Sequence, residues 1–225
     1  VSAINCIIAC PDSLRIPCYS RYMHIQPSKD PGIFESKTLS NGVTVYFKHA
    51  ETPFGEPKVA GIILVNVGGR DDPKGKEGSA HFFEHMPFRG TAHFPTLKEL
   101  TEPIENNGGY MNAFTTDEST GYECVVPSTM LEDGIARIHD MLSSPQLHEP
   151  EIEIEREVII EELKNKQSNV GWYANQEMMK RLLGEHPIVN AVIGSEKSLK
   201  SITETDLAKF HQTYYHAGNI SLFFA

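Results

Sequence analysis

Strand-like segments come first in this chain, helix-like segments follow, and one strand-like segment is left for the end. That order favours an α+β domain: a mixed, largely antiparallel sheet packed against several helices. Val43 to His49 and Lys58 to Val67 read as strands. The second is expected to be largely buried, because Val59, Ile62, Ile63, Leu64 and Val65 run nearly unbroken. Ser40-Asn41-Gly42 carries the Asn-Gly hairpin signal. After a polar loop from Gly68 to Gly78, helical spacing is predicted over Ser79 to Met86 and Thr96 to Asn107. Pro103 should kink the second of these or end it early. Tyr110 to Thr116 and Thr120 to Val126 read as strands joined through Asp117-Glu118-Ser119. Helices are predicted at about 128–143, 149–169, 172–184 and 203–215, before a last strand from Ile220 to Phe224. Pro150 suits a first helical turn, and Thr203 with Asp206 resembles a capping box. Residues 1–31, which end in a Pro/Gly-rich cluster, are expected to form an N-terminal arm, leaving 32–225 as one domain.

Charge narrows the function classes. Thirty acidic residues against 20 basic give a net charge of −10, which disfavours a nucleic-acid grip built on phosphate neutralisation. An acidic surface suits cationic peptides or metal ions better. No apolar run approaches the ~20 residues of a membrane-spanning helix. Of the four cysteines, Cys6, Cys10 and Cys18 crowd the start and Cys124 stands alone. Without a Cys-x-x-Cys pair there is little support for a thiolate zinc site, and a reducing, cytoplasmic setting is the expectation.

His81-Phe82-Phe83-Glu84-His85 is the stretch that carries chemistry. Residues four apart on a helix share a face, so both imidazoles can reach one ion, with Glu84 flanking them. Imidazole is a good zinc ligand, and a carboxylate beside the metal can take a proton from bound water. Chance would produce such a spacing about 0.04 times in a chain of this composition. The motif therefore needs a companion, and the acid-rich helix at 149–169 supplies one. Ile152 and Ile159, two turns apart, define its apolar stripe with Val158 and Leu163 beside it. Glu155 and Glu162 share that spacing and side, while Glu161 points roughly 100° away from Glu162. A carboxylate on a core-facing stripe is costly unless something positive meets it. Glu162 is thus the expected third ligand, with Glu155 as its support.

These motifs resemble the N-terminal, zinc-bearing domain of the pitrilysin-type (M16, inverzincin) metallopeptidases, a family that includes mitochondrial processing peptidases and many bacterial peptidases. The inverted motif is matched at His81, Glu84 and His85. The downstream glutamate segment is matched by Glu155-Arg156-Glu157-Val158-Ile159-Ile160-Glu161-Glu162, and the substrate-pairing strand by Gly108-Gly109-Tyr110-Met111-Asn112-Ala113-Phe114-Thr115. The resemblance implies one Zn²⁺ held by His81, His85 and Glu162, with Glu84 as general base. It also implies a peptide substrate paired as an added strand against Asn112, Ala113 and Phe114.

Family enzymes usually carry two or more such domains facing one another across a chamber. Only one is found here, so a homodimer or a heterodimer with a second M16-like domain is the expected assembly; a non-catalytic or partner-dependent peptide-binding subunit is the alternative. Pro87 and Pro103 sit where many relatives carry helix-compatible residues. His93, His139, His148, His186, His211 and His216 lack paired spacing and are expected at the surface or in caps. Trp172, Tyr173, Met178 and Met179 are expected on a packing face.

Overall fold

A computed structural model describes residues 34–48 and 55–225 of the 225-residue chain. The expected arm over residues 1–31, with Cys6, Cys10 and Cys18, lies outside the described residues, as does His49. The strands are β1 (Glu35–Thr38), β2 (Thr44–Phe47), β3 (Lys58–Val65), β4 (Tyr110–Thr115), β5 (Thr120–Pro127) and β6 (Ile220–Phe224). The helices are α1 (Ser79–Arg89), α2 (Leu97–Glu105), α3 (Leu131–Ser143), α4 (Glu149–Gln167), α5 (Val170–Leu183), the single turn α6 (Glu196–Leu199) and α7 (Glu204–Tyr214).

All six strands form one sheet in the order β1-β2-β6-β3-β5-β4. Only the β2–β6 pair is parallel, so the sheet is mixed and largely antiparallel, as the segment order suggests. The turn before β2 forms as Asn-Gly predicts. Gly42 takes φ 93°, and the Asn41 side chain accepts from the Val43 N–H at 3.1 Å. The last strand is inserted between β2 and β3, where Gly61 lies opposite Phe224 and leaves room for its ring.

The unbroken apolar run of β3 does not make it buried on both faces. Gly61, Ile63 and Val65 are buried, whereas Ala60 is exposed and Ile62 and Leu64 are half-buried. Ile63 and Val65 share a face with Tyr122 and Thr120 of β5, their register partners, and the apolar members of that face join one core. Gly134 of α3 allows that helix to settle onto the same face; a Cβ there would sit 3.1 Å from Cys124 Sγ and Val126 Cγ1.

Helix α1 lies in the middle of this core. Ala80, Phe82, Phe83 and Met86 are wholly inaccessible. Phe83 packs on Tyr215 with ring centroids 4.5 Å apart and stacks on His211 at 5.2 Å. His211, expected at the surface or in a cap, is instead half-buried, with Nε2 2.7 Å from the Leu142 carbonyl. It ties α7 to α3 because a ring buried against Phe83 needs a polar partner. The packing face expected at Trp172, Tyr173, Met178 and Met179 is also corrected. Helix α5 has no buried residue; only Trp172 of these four packs against the core, while Tyr173 and Met178 are exposed. Among the described residues no helix is long and apolar enough to cross a membrane.

Pro103 neither stops α2 at once nor leaves a bare acceptor. The helix begins with Thr96 accepting from the Glu99 N–H, and it ends two residues after the proline. Proline removes the N–H that would reach Glu99 O. The buried guanidinium of Arg137, on α3, donates to the carbonyls of both Glu99 and Leu100, the latter at 2.7 Å. Arg137 also pairs with Asp133 at 2.9 Å and lies over the Phe94 ring. Arg137→Met should cost about 2–4 kcal/mol, from the Glu99 carbonyl left without a donor and the packing lost over Phe94. Adding Pro103→Ala, which restores an N–H to Glu99 O, should recover part of that loss. Chemical denaturation of both variants checks it: equal destabilisation would show that Arg137 acts only by packing.

Candidate metal centre

The start of α1 is capped from a distance. Its N-cap is Gly78 at φ 99°, which offers no side chain, and no acidic residue occupies the first turn. Asp72 takes the role: Oδ2 accepts from the Gly78 N–H at 2.6 Å and Oδ1 from the Ala80 N–H at 2.8 Å. A carboxylate there satisfies donors that the first turn leaves open. The Gly78 corner must be glycine for a second reason. A Cβ there would lie 2.8 Å from Ile193 O, in addition to the strain of a positive φ. Ser198 of α6 locks the adjacent residue by donating to Glu77 O at 2.6 Å.

From that anchored start, His81 and His85 project one turn apart, with ring centroids 4.6 Å from each other. Helix α4 packs across α1 and brings Glu162 to them. Glu162 Oε2 lies 3.7 Å from His81 Nε2 and 3.9 Å from His85 Nε2. The donor atoms of the three side chains all fall within 4.8 Å of one another. Ligands at ~2.1 Å around a tetrahedral zinc are roughly 3.4 Å apart, so two imidazoles and a carboxylate at these spacings fit that ion.

The surrounding groups set the protonation. Glu155 is buried and its Oε1 stands 2.7 Å from His85 Nδ1. The pairing leaves Nε2 free on the side facing Glu162, the usual support for a metal-ligating histidine. Burial works against a charged His85, but the Glu155 hydrogen bond and the nearby acids outweigh it and raise its pKa. His81 differs: burial, then the neighbouring His85, lowers its pKa to about 3. It is therefore a neutral imidazole at ordinary pH. Among the described residues its Nδ1 has no hydrogen-bond partner. Glu162 turns its other oxygen to Lys166, 2.9 Å away. Partial burial opposes its ionisation, yet Lys166 and the histidines hold its carboxyl below the usual range.

The stripe on α4 is buried where it supports the site, through Ile152, Glu155, Ile159 and Leu163. One member is misplaced: Val158 is 49% exposed, and Ile160 is buried in its stead. At 100° per residue Val158 sits too far round the helix from Ile152 to share its face. Glu161 faces solvent, pairing with Lys164 at 3.3 Å.

Glu84 is buried beside the cluster, and burial raises its pKa against the pull of a hydrogen bond from Thr115. Thr115 Oγ1 donates to Glu84 Oε2 at 2.6 Å. Strand β4 is an edge of the sheet, paired on one side with β5. Asn112 on it is exposed, while Ala113 and Phe114 are half-buried. The tip of the Phe114 ring occupies the space a Cβ would take at Gly121, its cross-strand partner.

Four further side chains shape the site from outside the motifs: Asp72, Arg89, Thr115 and Lys166. Arg89 hydrogen-bonds Glu151 at 2.6 Å and approaches Glu155 at 3.6 Å, bracing α1 against α4. Lys166 lies four residues after Glu162, a spacing that could have suggested the pair. Asp72 and Thr115 act across loops at offsets that no local motif describes.

Two histidines and a glutamate from two packed helices, His81 buried and the other two half-buried, thus converge beside an open sheet edge, an arrangement able to hold a metal ion. Residues 51–195 match the insulinase profile, peptidase family M16, and the chain belongs to that family. It is 30% identical over 189 residues to an uncharacterized zinc protease of Rickettsia felis, covering 84% of this chain and 45% of that protein. To the mitochondrial-processing peptidase subunit beta of Neurospora crassa it is 27% identical over 188 residues, covering 84% of this chain and 39% of the other. Among solved structures, a protease from Helicobacter pylori superposes with TM-score 0.79 at 27% identity, over 85% of this chain and 46% of that one. Pitrilysin superposes with TM-score 0.76 at 25% identity, over 89% of this chain and 22% of the other. The chain spans less than half the length of these relatives.

Burial, with Asp71 and Glu77 adding to it against the two backbone N–H groups, pushes the Asp72 carboxyl up to about 7. A carboxyl that holds its proton more tightly folded than unfolded contributes stability below about pH 4, lost as pH rises to about 7. Asp72→Asn, which has no proton to lose, should show a shallower fall in stability across that window. It should also melt lower at every pH, because its amide group can serve only one of the two N–H donors. Thermal melts from pH 4 to 8 read both effects, and parallel curves for the two proteins would refute the assignment.

Proposed function

We propose that this domain is the zinc-bearing part of an endopeptidase that hydrolyses peptides or unfolded segments. The observation that carries the reading is the convergence of His81 Nε2 and His85 Nε2 on Glu162 Oε2 beside a buried acid, Glu84, that forms no ion pair among the described residues. His81, His85 and Glu162 would hold one Zn²⁺ per chain, with Glu155 orienting His85. When bound, zinc lowers the pKa of a coordinated water towards ~7 and polarises a carbonyl oxygen. Glu84, whose pKa is raised by burial, is suited to take the proton from the attacking water and pass it to the leaving amine. The outer edge of β4 would receive a peptide as an added strand through the main chain of Asn112, Ala113 and Phe114. Pairing by main chain tolerates varied side chains.

The same reading includes a second M16-like domain, on this polypeptide or another, closing over the site. Two observations support it. The chain covers less than half of its relatives. Val170, Tyr173, Met178 and Leu182 of α5, with Ile154 and Val158 of α4, are large apolar side chains left exposed. A partner-dependent subunit that binds peptides without cutting them is the second reading, favoured by these observations and opposed by the complete ligand set.

Cleavage of a fluorogenic peptide library, measured across protein concentrations with and without a chelator, should show chelator-sensitive activity. Glu84→Gln should lower the rate at least about 100-fold with zinc retained; unchanged cleavage would sink the assignment. Glu155→Gln should weaken zinc binding by about 10- to 100-fold, measured by chelator competition. An unaltered affinity would remove Glu155 from the site.

A further inference from the structure

We propose that Thr115 is a positioning residue, whose hydroxyl fixes the Glu84 carboxylate and ties it to the strand on which a peptide would pair. The inference rests on the reading of Glu84 as general base. Among the described residues, the only hydrogen bond to the Glu84 carboxylate comes from Thr115 Oγ1, at 2.6 Å to Oε2. A bond that short is typical of a hydroxyl donating to a charged oxygen. Oε1 is left without a protein donor. A glutamate side chain turns about several bonds. Anchoring one oxygen therefore aims the other, and a general base must be held within hydrogen-bond reach of its proton.

Thr115 is itself held firmly. It ends β4 opposite Thr120. The turn that follows is closed by the Thr116 N–H donating to Ser119 O at 2.8 Å. The Thr116 hydroxyl accepts from the Glu118 N–H at 3.2 Å and the Ser119 N–H at 3.0 Å. The loop before α1 is strapped to this turn by the Gly69 N–H on Thr116 O and the Arg70 N–H on Asp117 O, both at 3.0 Å. The hydroxyl that holds Glu84 thus sits at the end of a strand whose following turn is closed on itself and strapped to the loop before α1, three residues beyond Asn112. A peptide seated on the β4 edge and the carboxylate that would serve it share one rigid element. A shift of that strand moves both together.

Valine has the shape of threonine without the donor, and serine keeps the donor without the methyl group. Thr115→Val should lower kcat by roughly tenfold or more with KM and zinc affinity nearly unchanged, and Thr115→Ser should restore most of it. In a Glu84→Gln background Thr115→Val should change the residual rate less than twofold, because the two residues act as one unit. A crystal structure of metal-free Thr115→Val should show the Glu84 side chain moved or split between conformers, against a single position in the wild type. A rise in KM alone, an equal loss in Thr115→Ser, or an unmoved Glu84 would overturn the proposal. If the wild-type protein cleaves no peptide, the proposed function fails, and the placement of Glu84 in the valine variant still decides the role of Thr115.

Discussion

Helix α1 is buried on nearly every side and still carries His81, Glu84 and His85, and much of the fold serves to reconcile those two facts. Titratable groups in an apolar interior are costly unless each has a partner. Here the partners come from distant segments, Glu155 and Glu162 from α4 and Thr115 from β4, while Asp72 of the preceding loop caps the open N–H groups of the helix. The result is a site whose chemistry is concentrated on one helix and whose protonation is set by its neighbours.

The tightness of α4 against α1 follows from the same requirement. Ile152, Ile159 and Leu163 supply the apolar contact, while Arg89 with Glu151 and His85 with Glu155 supply polar ties at the same interface. Arg156 adds a further tie, reaching the Leu199 carbonyl on α6 while lying over the Phe82 ring. Polar contacts of this kind constrain the rotation of α4 about its axis more sharply than apolar contacts do, because they are directional. That constraint is what separates Glu162, turned to the histidines, from Glu161, turned to solvent.

Much of the fold was legible from patterning. The Asn-Gly turn, Pro150 in the first turn of α4, the Thr203 cap and nearly every element boundary follow from local rules. The departures from patterning share a cause. Apolar character does not amount to burial in β3, at Val158 or along α5, because burial depends on what packs against a face, and a sheet or helix face without a covering layer stays open. His211 departs in the opposite direction, since a lone histidine carries no sign of the Phe83 ring that stacks on it.

The candidate site divides along the same line. His81, Glu84 and His85 are set by the sequence alone, because helical periodicity places residues three and four apart on one face whatever surrounds them. Glu155 and Glu162 are nearly so, since their seven-residue spacing follows that of the buried isoleucines. The tertiary structure decided everything that closes a distance across the chain: which glutamate oxygen meets the imidazoles, that Lys166 takes the other, that Asp72 caps α1, and that Thr115 reaches Glu84. These are contacts between elements brought together by packing, and no local rule of spacing can specify the distance between two segments that meet only when the core forms.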